Sequence, residues 1–196
     1  MSKSERTRQF IIEKAAPVFN EKGFAGTSMS DLTQVTGLTK GSIYGNFENK
    51  DEVALAVFDY NFQLVSNYIK SKMAEKVTIT EKLLVYPEVY RDFMNLPFLQ
   101  GGCPLANTST EADDNHPLLK AKAANALHSW RESIDRLLKK GVELGELKSD
   151  LDCTETVAVL AGLVQGAVIQ TKLSGKLNFL NAAMNFLEKT ILNLKN

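Results

Sequence analysis

Apolar residues recur at helical spacing along the whole chain, and no long stretch alternates between apolar and polar residues. The first predicted helix covers about residues 4–22, and its apolar face contains Phe10, Ile11, Ala15, Val18 and Phe19. The same period continues from about residue 50 to residue 76 and returns in further segments up to the C-terminus. This periodicity predicts an all-α protein.

Proline and glycine residues divide the second half of the chain into further helices. Pro87 should bend the helix that contains it, and Pro104 should open a short helix after the glycines at residues 101–102. The helices predicted for this half cover residues 80–98, 104 to about 114, 117 to about 145, 152–175 and 177–194. With the N-terminal elements, the chain is expected to contain about nine helices.

Residues 28–47 differ from the rest because their helical segments are short and carry polar residues outward. Ser28 and Asp31 have the spacing of a capping box, which predicts the start of a short helix. Gly37 can adopt a positive φ and turn the chain, and Thr39 can cap a second short helix. Such a pair is typical of a helix-turn-helix, whose second helix enters the major groove of DNA. An ordinary helical hairpin has the same spacing, so this pattern alone leaves both open.

The second short helix carries side chains suited to the edges of DNA bases. A recognition helix meets the bases near its N-terminal end, where short donors and acceptors are needed. Thr39, Lys40 and Ser42 satisfy this requirement. Gly41 has no side chain, so the helix backbone could approach the duplex closely there.

Two further places in this region could bind phosphate. Thr27 and Ser28 precede a helix, so their hydroxyls either meet a phosphate oxygen or only cap that helix. Lys50 lies in the first turn of the helix that Asn49 is expected to cap, where a cation opposes the helix dipole. A phosphate would supply the missing negative partner of this lysine.

A set of residues between Arg6 and about Val57 follows the pattern of a known family. The set consists of Ala15, Ala16, Phe19, Lys22, Gly23, Phe24, Thr27, Ser28, Asp31, Leu32, Gly37, Leu38, Lys40, Gly41, Ser42, Tyr44, Phe47, Lys50, Asp51 and Glu52. In these residues the chain resembles the N-terminal DNA-binding domain of TetR/AcrR-type bacterial transcriptional repressors. The resemblance implies that the Tyr44 hydroxyl and Lys50 contact phosphates. Asn46 is included among the DNA-binding residues, although it and Gly45 stand where many relatives carry bulkier side chains, so the operator sequence does not follow.

The resemblance also implies an architecture and a function for the whole chain. Residues 1–50 would form a three-helix, helix-turn-helix DNA-binding domain, and residues 51–196 a larger helical domain for ligand binding and dimerisation. The protein would be a ligand-responsive repressor that binds a palindromic operator as a homodimer and is released by a small-molecule inducer. In this family the last two helices pair with their twins, although internal packing would also use their small residues. The expected interface residues are Ala158, Gly162, Gly166, Ile169 and Phe186.

The inducer is expected to bind among the helices of the second domain. The candidate residues are Phe62, Tyr68, Phe93, Phe98, Cys103, Trp130 and Gln165, and ordinary core packing is the alternative for each of them. Cys103 also raises an alternative function, a repressor that senses oxidants or electrophiles through its thiol. A reactive thiol needs a lowered pKa, which the helix opening at Pro104 could favour.

Composition is consistent with this interpretation. The 196 residues are 44% hydrophobic and 23% charged, as in soluble globular proteins. The formal net charge is zero, but the first 50 residues hold seven basic and five acidic side chains, and the remainder has a net charge of −2. A basic N-terminal region fits a DNA partner. The two cysteines predict neither a disulfide framework nor a zinc site.

Other classes of protein find less support in the sequence. An enzyme would need converging catalytic groups, a metal site or a cofactor motif, and none is recognisable, so we expect no enzymatic activity, no metal and no cofactor. A protein-binding helical adaptor would not need Lys40, Tyr44 and Lys50 beside a helix-turn-helix. We expect a cytoplasmic protein that does not associate with a membrane, because no long uninterrupted apolar run or apolar signal segment is present.

Overall fold

A computed structural model describes residues 2–92, 95–99 and 101–196, with only the backbone of residues 113–115. The chain is 81% helical, and the described residues form no β-sheet; a single isolated bridge joins Leu147 and Lys195. The helices are α1 (Lys3–Gly26), α2 (Met29–Thr36), α3 (Lys40–Tyr44), α4 (Lys50–Ala74), α5 (Ile79–Arg91), α6 (Pro104–Asn115), α7 (Pro117–Glu143), α8 (Cys153–Ser174) and α9 (Asn178–Asn193). The prediction of an all-α protein with about nine helices is confirmed.

The helices form two compact units. One unit contains Met1–Val65 and Pro97–Asn125, and the other contains Ser66–Leu96 and Ala126–Asn196. Helices α4 and α7 therefore contribute residues to both units. These units do not test the boundary that we place at residue 50 between the DNA-binding domain and the ligand-binding domain, which stays a prediction.

The first unit is built on α1, which packs against α2 and α6. Its apolar face reaches the core as the helical period predicts, although Phe10 stays partly exposed. Phe47 closes the core from the segment after α3 and is only 2% exposed. The other buried side chains of this unit include Ile11, Ala15, Phe19, Leu32, Ile43, Val53, Val57, Phe58, Leu99, Leu105 and Leu119.

The end of α1 is held by a carboxylate from α6. The helical backbone is interrupted at Gly23, whose φ of 74° and ψ of −179° are accessible essentially only to glycine. The two peptide N–H groups that follow both donate to the Glu111 carboxylate, from Phe24 at 2.8 Å and from Ala25 at 2.6 Å. Glu111 thereby satisfies backbone donors that the interrupted helix leaves open.

A second polar contact joins α1 and α6 one turn earlier. The buried Asn20 amide donates to the carbonyl of Gly102 at 2.8 Å. The Asn107 amide donates to the Asn20 carbonyl and to the Gly101 carbonyl, both at 2.9 Å. Residues 101–102 are thus tied to α1 through backbone carbonyls, and a Cβ at Gly101 would lie 2.9 Å from the Asn20 carbonyl carbon.

The second unit packs α9 against α5 and α8. Its fully buried side chains include Leu83, Ile134, Leu138, Leu147, Leu180, Met184, Leu187 and Ile191. The sequence suggested one helix over residues 80–98, but α5 ends at Arg91 and a separate 3-10 turn covers Pro97–Leu99. Pro97 explains part of this difference, since the residue before a proline is disfavoured in the helical conformation. Pro87 lies inside α5 and is buried.

Helix α8 is more apolar than the other helices. Among the described residues, it is the one helix with a length and composition that would allow it to cross a membrane. Core helices of globular proteins pass the same test, and one face of α8 is buried in the second unit. The buried residues of that face are Val157, Leu160, Ala161, Val164, Ala167, Val168 and Thr171.

Candidate nucleic-acid interface

The two short helices α2 and α3 are joined as the sequence predicted. Asp31 N–H donates to the Ser28 hydroxyl at 3.1 Å, and Ser28 N–H donates to the Asp31 carboxylate at 2.7 Å, which completes the capping box. Gly37 ends α2 with a φ of 67°. Thr39 then caps α3, because its hydroxyl accepts from Ser42 N–H at 3.2 Å. The local signals were sufficient to predict this turn.

Helix α3 exposes the side that the sequence assigned to DNA. Thr39, Lys40, Gly41 and Tyr44 are exposed, while Ile43 points into the core and is fully buried. A Cβ at Gly41 would meet nothing within 4 Å, so the backbone lies open there. The Lys40 ammonium lies 5.7 Å from the centre of the Tyr44 ring. The arrangement presents a donor-rich surface along a short helix.

The hydroxyls before α2 are already used within the chain. Thr27 is only 1% exposed, and its hydroxyl donates to the Gly23 carbonyl at 2.6 Å. Ser28 is exposed, and its hydroxyl donates to the Asp31 carboxylate at 2.6 Å. Ser28 therefore caps α2 in the structure, as one of the two alternatives predicted. Contacts of Thr27 and Ser28 with phosphate stay predictions.

Lys50 has partners that the sequence argument did not foresee. Its ammonium donates to the carbonyls of Phe24 at 2.8 Å and of Thr27 at 3.0 Å. The same nitrogen lies 4.1 Å from the centre of the Phe24 ring, a cation–π distance. These contacts compensate for the unfavourable position of a lysine at the start of α4. A phosphate contact would use the one remaining N–H of the ammonium and stays a prediction.

Asn46 lies just beyond α3 and is half-buried. Its amide donates to the Ser42 carbonyl at 2.9 Å, and its side-chain oxygen accepts from the Ser4 hydroxyl at 3.3 Å. Its backbone carbonyl accepts from the Arg8 guanidinium at 2.5 Å. Asn46 is thus part of the connection between α3 and α1.

Arg8 belongs to the basic cluster at the start of α1, for which the sequence leaves open either a phosphate contact or simple solvation. Besides Asn46, its guanidinium binds the Glu52 carboxylate at 2.6 Å and lies 4.0 Å from the centre of the Phe47 ring. These partners stand 38 to 44 residues away along the chain. No local pattern identifies a contact between residues so distant in sequence.

Two carboxylates of this region have lowered pKa values. The hydrogen bond from Lys22, followed by those from Ser28, holds the pKa of Asp31 well below its usual range. The N–H of Glu48, and after it the Arg8 guanidinium, lowers the pKa of Glu52. Both carboxylates are therefore ionised at neutral pH and balance the charges of Lys22 and Arg8.

The residues proposed for an inducer fall in different places. Phe62, Phe98 and Cys103 belong to the first unit, and Tyr68, Trp130 and Gln165 belong to the second. Phe93 lies outside the described residues. Phe62 stacks on Phe58 with ring centres 6.3 Å apart. Tyr68, Phe98, Trp130 and Gln165 are half-exposed.

Trp130 lies in an aromatic cluster of the second unit. Its ring centre is 6.4 Å from that of Tyr86 and 6.5 Å from that of Tyr90. The indole nitrogen is buried and has no hydrogen-bond partner of normal geometry. Burial raises the pKa of Tyr86 to about 12, although the Ser133 hydroxyl and the Trp130 indole favour the ionised form. The cluster combines apolar surface with a polar group that a ligand could bind.

Cys103 is buried, with 7% of its surface exposed, and directly precedes α6 as its N-cap residue. This burial limits the access of a reagent in solution to the residue. The thiol-sensing alternative stays a prediction. Within the residues that the structure describes, no group of three potential metal ligands converges.

The residues proposed for a dimer interface lie on open surface of the single chain. Ala158, Gly162, Ile169 and Phe186 are exposed and Gly166 is half-buried. A Cβ at Gly162 or at Gly166 would meet nothing within 4 Å. Other large apolar side chains of α8, α9 and the segment between them are exposed too, namely Val159, Leu173, Leu177 and Phe179, while the exposed Leu192 lies on another side of α9 from Phe186.

Comparisons with known proteins agree with these features. Residues 11–57 match the family described as bacterial regulatory proteins, tetR family, and residues 80–187 match the tetracyclin repressor-like C-terminal domain. The crystal structure of a TetR-family transcriptional regulator from Cytophaga hutchinsonii is 44% identical in sequence and has a TM-score of 0.92. The match covers 100% of this chain and 98% of that chain. A TetR regulator from Chloroflexus aurantiacus J-10-FL is 33% identical with a TM-score of 0.92, over 100% of this chain and 98% of that one. The HTH-type transcriptional repressor DhaR from Mycobacterium sp. (strain GP1) is 26% identical over 168 residues, which are 85% of this chain and 82% of that protein.

The short helix pair and its exposed donors define a helix-turn-helix DNA-binding protein. The chain belongs to the TetR family, and it is a transcriptional repressor. The family resemblance drawn from the first quarter of the sequence is confirmed, and the alternative of an ordinary helical hairpin is set aside.

Proposed function

We propose that the protein acts in the cytoplasm as a ligand-responsive homodimer that binds a palindromic DNA operator and is released by a small-molecule inducer. The observation that carries this proposal is the exposed apolar face of α8 and α9. In the single chain this face leaves Ile169 38% exposed and Phe186 59% exposed. A contiguous apolar surface of this kind is typical of a protein–protein interface.

The spacing along α8 supports a helix-to-helix contact with a second copy. Val159, Gly162, Gly166, Ile169 and Leu173 follow one another at intervals of three and four residues, so they share one face of the helix. The two glycines leave room for another backbone to approach. Helices α8 and α9 of two copies would form a four-helix arrangement, with Phe186 on the α9 side.

A two-fold dimer would carry two copies of α3, and its operator would have two matching half-sites. The recognition helices would then stand about 34–36 Å apart, or a multiple of this distance, to enter major grooves on one side of the duplex. The proposed contacts are Thr39, Lys40, Gly41 and Ser42 with base edges, Tyr44, Lys50, Thr27 and Ser28 with phosphates, and Asn46 at the far end of the helix.

Tyr44→Phe tests the phosphate contact with the loss of one oxygen atom. We expect this variant to bind every DNA sequence at least roughly tenfold more weakly, because a hydrogen bond to a charged group contributes about 1.5–3 kcal/mol in each subunit. A gel shift would compare a duplex selected by the wild-type protein from a random library with a scrambled duplex. The affinity of the wild type should fall steeply with salt for both.

Tyr60→Phe, on the half-buried Tyr60 of α4, is the matched control and should bind like the wild type. A loss confined to one base position of the selected duplex would assign Tyr44 to base recognition instead. Wild-type affinity that did not respond to ionic strength would contradict the electrostatic contribution of phosphates.

The candidate inducer residues are Phe62, Phe98 and Cys103 in the first unit, Tyr68, Trp130 and Gln165 in the second, and Phe93, and we place the site in the second unit. The cluster around Trp130 supports the part in the second unit, because its buried indole N–H lies beside two tyrosine rings. An inducer that binds there must favour a conformation with lower DNA affinity, since only differential binding shifts an equilibrium. Helix α4 has residues in both units and begins at Lys50, so it is the proposed carrier of the change.

Trp130 is the only tryptophan and can report on the inducer directly. Among apolar and aromatic small molecules that release the protein from DNA in a gel shift, we expect each to change the Trp130 fluorescence over the same concentration range. Trp130→Phe should keep DNA affinity but need roughly tenfold more of the compound, because it lacks the indole donor. Release without any fluorescence change, and at unaltered concentrations in the variant, would place the inducer elsewhere.

A further inference from the structure

Arg8 joins three parts of the DNA-binding region that are far apart in sequence. One guanidinium nitrogen binds the Asn46 carbonyl just beyond α3, and the other binds the Glu52 carboxylate in the first turn of α4. The central carbon of the guanidinium lies 4.0 Å from the centre of the Phe47 ring, and Phe47 is buried in the core. The end of the recognition helix is thereby fixed to α1 and α4 at the same time.

The charge of Arg8 is engaged within the protein. Both terminal nitrogens have partners, and the ion pair with Glu52 has a length of 2.6 Å. Glu52 is itself oriented by the N–H of Glu48 at 2.7 Å, so the carboxylate that receives Arg8 has a fixed position. These bonds use two of the five N–H donors of the guanidinium, and the ion pair with Glu52 offsets the charge that Arg8 could present to a phosphate.

The recognition helix needs such an anchor because it is short. Helix α3 has five residues, and isolated helices of this length are not stable in water. Its direction must come from contacts with its neighbours. Ile43 fixes one side by burial, and at the C-terminal end Asn46 accepts from Arg8 at 2.5 Å and, more weakly, from the Ser4 hydroxyl at 3.3 Å. A planar fork with two donors is suited to hold that end, whereas an ammonium offers a single centre.

We infer that Arg8 is a positioning residue for operator recognition: it sets the orientation of α3 against the bases and does not itself attract the phosphate backbone. This inference rests on the proposed function, because it concerns the same DNA contact. It assigns operator discrimination to a side chain outside the recognition helix. A small rotation of α3 would move every base contact at once, while contacts with phosphates elsewhere would persist.

The experiment compares Arg8→Gln and Arg8→Lys with Arg6→Gln. Arg6 lies on the same helix, is exposed, and in the described part of the chain has no ion-pair partner for its guanidinium. Affinities are measured across a salt series for the duplex selected by the wild type and for a scrambled duplex of the same length. Both Arg8 variants should lose roughly tenfold or more in affinity for the selected duplex, as for a mismatched base pair, and change less than about twofold for the scrambled one.

The salt dependence separates positioning from a phosphate contact. Removing a phosphate contact reduces the steepness of log affinity against log salt by about 1 for each subunit of the dimer. The Arg8 variants should keep the wild-type slope, and Arg6→Gln should keep the wild-type ratio between the two duplexes. Equal losses on both duplexes with a lower slope, or full recovery of the ratio by Arg8→Lys, would overturn the inference.

Glu52→Gln tests the same inference if the Arg8 variants do not fold. This variant keeps Arg8 and its hydrogen bond to Asn46 but removes the charge of its partner on α4. A positioning role predicts a loss of at least about threefold on the selected duplex alone, a part of the effect of one mismatched base pair. An unchanged ratio of the affinities for the two duplexes would overturn the inference. A steeper dependence of affinity on salt, as expected if the released Arg8 binds the DNA, would also overturn it. If the wild type selected no duplex at all, the proposed function would fail, which is a different result.

Discussion

Phe186→Asp is expected to produce a monomer whose operator affinity is at least about 100-fold weaker than that of the wild type. Phe186 is 59% exposed in the single chain, so the change should leave the fold intact. In the proposed dimer the same position is covered by the partner, where an unpaired carboxylate would be desolvated at a large cost in free energy. Two half-sites then no longer act together, and the gain from linked binding is lost.

Sedimentation analysis would give the mass in solution, and a gel shift on the selected duplex would give the affinity. Leu192→Asp is the control, because Leu192 is also an exposed apolar residue of α9 but lies about 120° around the helix from Phe186. It should remain a dimer and bind DNA as the wild type does. A Phe186→Asp protein that stayed dimeric would exclude this face as the interface.

Gly23→Ala is expected to lower the free energy of unfolding by roughly 2–5 kcal/mol. Part of this loss, about 1–3 kcal/mol, comes from a backbone conformation that alanine adopts only with strain. The added methyl would also overlap the Glu111 carboxylate, because a Cβ at position 23 would lie 2.8 Å from the Glu111 Cδ atom. Glu111 would have to leave the two N–H groups of Phe24, which is half-buried, and of Ala25, which is exposed, at a cost of about 1–2 kcal/mol.

Urea denaturation followed by circular dichroism would measure the loss. Gly37→Ala is a matched control: Gly37 also has a positive φ, of 67°, but a Cβ there would meet nothing within 4 Å. It should cost only about 1–2 kcal/mol. The double variant Gly23→Ala with Glu111→Ala separates the steric part from the conformational part. A Gly23→Ala protein no less stable than Gly37→Ala would contradict the tight fit with Glu111.

The features predictable from the sequence are those set by neighbouring residues. The capping box of Ser28 and Asp31, the turn at Gly37 and the helix opening at Pro104 depend on contacts within a few residues, and the structure contains all three. The amphipathic period likewise predicted the helices. The sequence did not predict that α5 ends at Arg91, because apolar residues continue at helical spacing beyond the end of the helix.

The features that could not be predicted join distant parts of the chain. Lys50 was correctly expected to need a partner, but the carbonyls that serve it belong to residues 23 and 26 positions earlier. Arg8 and Glu111 are ordinary charged residues in the sequence, and only the folded chain shows their partners 38 to 87 residues away. Trp130 was proposed from its residue type alone, and its place beside Tyr86 and Tyr90, with a buried indole nitrogen, became visible only in the fold.

The hydrogen bonds between α1 and α6 also bear on how regulators of this kind can be recombined. A chimera that exchanges only the first 50 residues would separate Asn20 and Phe24 from their partners Asn107 and Glu111. Since residues 97–125 share a compact unit with the N-terminal region, a graft that retains those contacts has to transfer both segments. Natural exchange of DNA-binding regions between relatives should be subject to the same restriction, with the residues at positions 107 and 111 changing together with those at the end of α1.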